Sequence, residues 1–234
     1  MISQMKIDVV RLEPTGAPDL PAGGFSEWVE AMARALEQGT ASDVPCGDCT
    51  ACCQGSYFIH VTPDETGTRS RIPAALLFPA PGAPPGHQLL GFDEQGRCPM
   101  LEGSVCSIYD DRPRTCRTYD CRVFAATGVA EPGAEKAAIM ARAARWRFDY
   151  PGTEAVLQQE SLRVGTEFLI EHAEVLGGRV PGNATQLAML AIRLHELFAE
   201  LVARHGAPLQ PVPEVLDPVL AALDDIARSR AVER

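Results

Sequence analysis

Cys46-Gly47-Asp48-Cys49-Thr50-Ala51-Cys52-Cys53 is the stretch around which the rest of this 234-residue chain has to be read. It sets four thiols within eight residues, and the other four cysteines follow at Cys98, Cys106, Cys116 and Cys121, so that no cysteine lies outside this one region. Disulfides fit the pattern poorly. Cys52 and Cys53 are adjacent, and Cys46, Cys49 and Cys52 are each three residues apart, which leaves many pairings cramped. Met1–Val10 (MISQMKIDVV) has one lysine and no apolar run of signal length, so the expected location is cytoplasmic, where clustered cysteines serve as ligands or redox groups more often than as crosslinks. One or two metal centres are the expectation.

The second group has its own local logic. Gly96 to Tyr109 reads as two short strands around Glu102-Gly103-Ser104, with Val105, Ile108 and Tyr109 favouring extended backbone, and such a hairpin would set Cys98 across from Cys106. Arg112-Pro113 breaks the strand, and Cys116 and Cys121 follow five residues apart, a spacing suited to a helical turn or a tight loop. Neighbouring side chains diverge on either a strand or a helix, so Cys52 and Cys53 are hard to aim at one small ion; they serve two centres or bridge them.

This order of residues resembles the YkgJ-type cysteine cluster family. The resemblance runs from about Pro45 to Arg122 and rests on C-x2-C-x2-C-C followed by G-x-C-P-x-L-x-G-x-x-C-x-I-Y-x-x-R-P-x-x-C-R-x-Y-x-C. It implies a zinc- or iron-chelating domain with the eight cysteines as ligands. Asp120 is a departure, since the family pattern often has proline before the last cysteine. Flagellin lysine methylases contain a similar cluster, which keeps a catalytic role in view.

Eight thiolates satisfy two tetrahedral zinc sites, and closely spaced thiolates are also how iron–sulfur clusters are gathered, so an iron–sulfur cluster and zinc both stay open as the cofactor. Arg97, Arg112, Arg114, Arg117 and Arg122 surround the second group in a chain of net charge −10. Guanidinium groups stabilise thiolate or donate to sulfur; the alternatives are solvated surface arginines or an anion pocket beside the metal. Arg112 and Arg117, which lie in the matching motif, and Tyr109, which can donate a hydrogen bond, are the candidate cofactor-binding residues. His60, on the strand expected over Tyr57–Val61, is a further ligand candidate whose ordinary role is structural. The catalytic residues do not follow from the sequence.

The fold class expected is α+β, a small cysteine-rich metal-binding domain with short strands packed against a C-terminal helical bundle. Its divisions are 1–44 (an N-terminal strand over Ile7–Leu12, a turn-rich connection over Pro14–Gly24 and a helix over Phe25–Gln38), 45–130 (the cysteine cluster) and 131–234 (the bundle). Helices are expected over Ala134–Phe148, Thr153–Leu176, Thr185–His205 and Val212–Arg228 from apolar spacings of three and four. Thr62-Pro63-Asp64-Glu65 reads as a helix start, and the Pro/Gly-rich Phe78–Gly86 as a tolerated insertion or a cover for the site. With two lysines and a pI near 5.0 the chain has the wrong field for nucleic acid, and no apolar run has membrane-spanning length. Three functions fit: a redox or catalytic centre modifying a peptide or small molecule, a structural zinc module binding a protein partner through its helical half, and metal handling.

Overall fold

The computed structural model describes residues 7, 9–40, 42, 44 and 46–232. The reading of Met1–Val10 falls mostly outside these residues; of the expected Ile7–Leu12 strand, Val10–Arg11 (β1) is formed. The N-terminal part continues with β2 (Leu20–Gly24) and α1 (Phe25–Gln38). The cysteine-rich part holds β3 (Ile59–Val61), α2 (Thr66–Arg71), β4 (Leu77–Pro79), β5 (Gln88–Leu90), β6 (Leu101–Glu102), β7 (Val105–Cys106), α3 (Arg114–Thr118), α4 (Arg122–Thr127) and β8 (Val129–Ala130). Beyond it come α5 (Ala137–Ala143), β9 (Trp146–Asp149), α6 (Thr153–Glu171), α7 (Ala184–Arg193), α8 (His195–His205) and α9 (Pro213–Val232). This is the mixed α+β architecture expected, with small sheets in the cysteine region and helices after it.

Two hydrophobic cores result. The larger gathers α1, α4 and the C-terminal helices around Phe25, Phe124, Leu162, Leu169, Leu187 and Phe198. The smaller consists of Val61, Ile72, Leu90, Met100 and Ile108 beneath the antiparallel sheet β3-β5-β4. In α1, Phe25, Trp28, Val29 and Met32 recur at helical spacing and all are buried against the large core. Gly39 ends the helix in the left-handed conformation at φ 62°, its N–H returning to the Ala35 carbonyl. The Asn183 side chain caps α7 by accepting from the Gln186 N–H at 2.8 Å.

Several elements differ from expectation, each for a local reason. The helix expected over Ala134–Phe148 stops at Ala143, and Trp146–Asp149 is a strand, alternating buried Trp146 and Phe148 with exposed Arg147 and Asp149. Its partner is Leu20–Gly24, read from sequence as part of a turn-rich connection; the two pair in parallel with an irregularity at Pro21/Gly23, where proline supplies no donor. Thr185–His205 divides at Leu194, which lets α7 bury Leu187, Leu190 and Ala191 while α8 buries Phe198 and Leu201. Thr62 and Glu65 do form reciprocal contacts, the Thr62 N–H and hydroxyl donating to the Glu65 carboxylate at 2.8 and 3.0 Å, but they close a turn and α2 begins at Thr66. In the hairpin, Cys106 pairs with Leu101 rather than Cys98, because the turn is centred on Gly103-Ser104 and Cys98 lies before the ladder, its carbonyl accepting from the Leu101 N–H.

The contact between α6 and α8 depends on Gly165. A Cβ at that position would fall inside the ring of Phe198, which is fully buried. Replacing Gly165 by Ala would gain up to about 1 kcal/mol of helix propensity but overpack the crossing at a cost of roughly 1–3 kcal/mol or more. Thermal denaturation of Gly165→Ala is therefore expected to give a lowered midpoint; an unchanged or raised midpoint would contradict this packing.

Candidate metal centre

The cysteines reach one place by four routes. Cys46 and Cys49 sit in the loop after α1, closed by the Cys49 N–H donating to the Cys46 carbonyl at 3.0 Å. Cys52 and Cys53 open a single 3-10 turn, Cys52–Gln54. Cys98 is drawn to that turn by its own N–H, which donates to the Cys53 carbonyl at 2.7 Å, and Cys106 follows on β7. Cys116 lies in α3, and Cys121 precedes the first turn of α4 with its sulfur accepting from Trp146 Nε1 at 3.2 Å. All eight are free thiols, and all eight line one cavity of about 350 Å³ between the two cores.

The thiols fall into two neighbourhoods. Cys98 and Cys106 pack against the small core while Cys121 packs against the large one. Electrostatic coupling follows the same division: Cys121 interacts with Cys46 and Cys49, and Cys116 with Cys98 and Cys106. Cys52 couples to Cys46 on one side and to Cys98 and Cys116 on the other. Burial pushes Cys116 and Cys121 each up to about 12 and raises Cys46 and Cys98. Cys52 is raised first by its hydrogen bond with Cys53 and then by burial. Such thiols hold their protons until a cation replaces them.

The donor set therefore fits a thiolate metal centre. Among the described residues no three His, Cys, Asp or Glu side chains lie close enough together to hold one ion, so the thiols surround a volume rather than a point. Tyr109 and Arg112 line this cavity, the Arg112 guanidinium lying 3.7 Å over the Tyr109 ring. Arg117 does not line it; its guanidinium lies 3.9 Å from Glu65. His60 is also outside the cavity wall, its Nε2 within 2.9 Å of His87 Nδ1. Residues 78–86 form β4 and the connection to β5, and none of them lines the cavity.

Two polar groups that the motif does not contain hold the centre against the helices. Asp120 is fully buried, and its carboxylate accepts from Trp28 Nε1 at 3.0 Å, from the Ser42 hydroxyl at 2.9 Å and from Arg122 Nη2 at 2.7 Å. This ties α1 to the residues flanking Cys121, and it is the role of the residue that departs from the family pattern. On the other side, the Tyr57 and Tyr119 hydroxyls meet at 3.3 Å, Tyr57 donates to Glu131 at 2.7 Å, and Thr185 of α7 donates to the same carboxylate. Trp28 carries the one sequence signal for the first network, since an indole N–H on a buried helix face requires an acceptor.

Removing Asp120 leaves Arg122 buried without its carboxylate, a change that typically costs about 3–5 kcal/mol. Asp120→Ala is expected to lower the urea midpoint by that scale, and a wild-type midpoint would show the pair to be dispensable. Folding of the metal-free chain favours protonated thiols, so the stability they contribute is full below the ordinary thiol value of 9.0 and is lost as pH rises towards about 12. Metal-free protein is thus expected to melt at a lower temperature at about pH 10 than at about pH 8, and an opposite trend would contradict the burial of Cys116 and Cys121.

Neither the curated proteins nor the solved structures contain a significant match to this chain. Residues 45–140 match the family model CxxCxxCC, described as "Putative zinc- or iron-chelating domain".

Proposed function

We propose that the eight cysteines hold two neighbouring metal centres and that the occupant is iron in iron–sulfur form, serving redox or catalytic chemistry on a small molecule or peptide. The observation that carries this reading is the convergence of all eight thiols on one cavity. Cys46, Cys49 and Cys121 belong to one set, Cys98, Cys106 and Cys116 to the other, and the Cys52–Cys53 pair joins both. A lone zinc ion, with Zn–S bonds of about 2.3 Å, gathers its sulfurs to within roughly 4 Å of one another. Thiols spread around about 350 Å³ suit a larger, sulfide-bridged cluster better. A cavity of this size also lies in the range of small-ligand sites, and its rim residues Val105 and Tyr109 are exposed.

The division into two sets, one on each core, favours a second reading, in which two closed zinc sites organise the fold and the helical half binds a protein partner. Elemental analysis of anaerobically purified protein with its visible spectrum separates the two. Iron with acid-labile sulfide and a broad absorption towards the violet is the expected result. Colourless protein with about two zinc ions per chain supports the second reading, and protein that takes up neither metal sinks both. Cys116→Ser is expected to lose metal and melt at a lower temperature, whereas retention of both properties would remove Cys116 from the ligand set.

A further inference from the structure

Among the described residues, two cationic side chains line the thiol cavity, Arg112 and Arg142. Arg142 is engaged elsewhere: its Nη2 donates to the Cys46 carbonyl at 3.3 Å and its guanidinium lies 4.9 Å from the Trp146 ring centre. Arg112 stacks on Tyr109, its Nε is buried with no acceptor among the described residues, and the neighbouring Asp111 is already paired with Arg71 at 3.0 Å. A buried guanidinium donor without an acceptor requires a reason, and the cavity that Arg112 lines is also lined by all eight thiols. Eight thiolates around iron or zinc retain excess negative charge, and sulfur bound to metal accepts hydrogen bonds from such donors. That same excess charge disfavours the alternative of an external anion at this guanidinium.

We propose that Arg112 is the shared counter-charge of the two thiolate sets, positioned by Tyr109 to donate to metal-bound sulfur on both. Arg112 lines the same cavity as the cysteines of both sets. The proposal rests on the two-centre reading above. Arg112 is thereby a positioning residue for the centre.

Cobalt(II) titration of the full-length, reduced chain tests it, with cobalt–thiolate absorption as the signal. The wild type is expected to bind in two steps. Arg112→Gln is expected to keep both steps and weaken each by roughly ten- to a hundredfold, with Arg112→Lys recovering part of the loss. Arg97→Gln removes an equal charge from a half-buried side chain outside the cavity wall and is expected to stay within about twofold of wild type. Circular dichroism of each metal-free variant checks that the fold persists. Unchanged affinity in Arg112→Gln, weakening of only one step, or an equal loss in Arg97→Gln would each overturn the shared role. A wild type that binds no cobalt would instead overturn the metal centre itself, so the two failures are distinguishable.

Discussion

The small sheet β3-β5-β4 of the cysteine-rich part rests, among the described residues, on a core of five buried hydrophobic side chains, Val61, Ile72, Leu90, Met100 and Ile108, and that scarcity is the constraint from which the rest of the architecture follows. A core this small does not hold a domain by itself. It has to lean on the large helical core, and the surface where the two meet is lined with thiols alongside apolar side chains. Polar anchors outside the motif complete the junction: Asp120 reaches α1 through Trp28, and Glu131 joins Tyr57 to α7 through Thr185. The thiol-lined cavity and the joint between the cores are therefore one structure.

Burial gives this joint its chemistry. Cys116 and Cys121 stay protonated far above the ordinary thiol range because the surrounding walls disfavour their charge. A cation entering the cavity reverses that preference by supplying the compensation the walls lack. The same walls leave Arg112 Nε without an acceptor among the described residues. Thiols that resist ionisation and a guanidinium nitrogen that lacks an acceptor are two aspects of one low-dielectric site.

Much of this was legible in the sequence where a single local rule governs. The stripe Phe25, Trp28, Val29 and Met32 with Gly39 behind it specified α1 to its ends, and the eight cysteines that the spacing singled out line one cavity. What escaped is non-local. Leu20-Pro21-Ala22-Gly23-Gly24 has almost no β propensity, and it becomes a strand because Trp146–Asp149, far along the chain, supplies the other half of the ladder. The break at Leu194 is likewise set by which faces of α7 and α8 can be buried together, although every turn on either side favours helix. Asp120 reads in isolation as an acidic residue beside a cysteine, and only the fold brings Trp28, Ser42 and Arg122 around it.

The placement of the cysteines on four separate segments has a topological consequence. If the cysteines hold metal as proposed, ligands from the loop after α1, from the β6–β7 region, from α3 and from the start of α4 would make a loaded centre a crosslink among segments distant in sequence. Like a set of disulfides, it would restrict the unfolded ensemble by closing long loops. The loss in chain entropy would be shared among all the ligands, so the segments would be retained or released together. Metal occupancy would then set how far the whole stretch from Cys46 to Cys121 can open, and with it how readily a protease can enter.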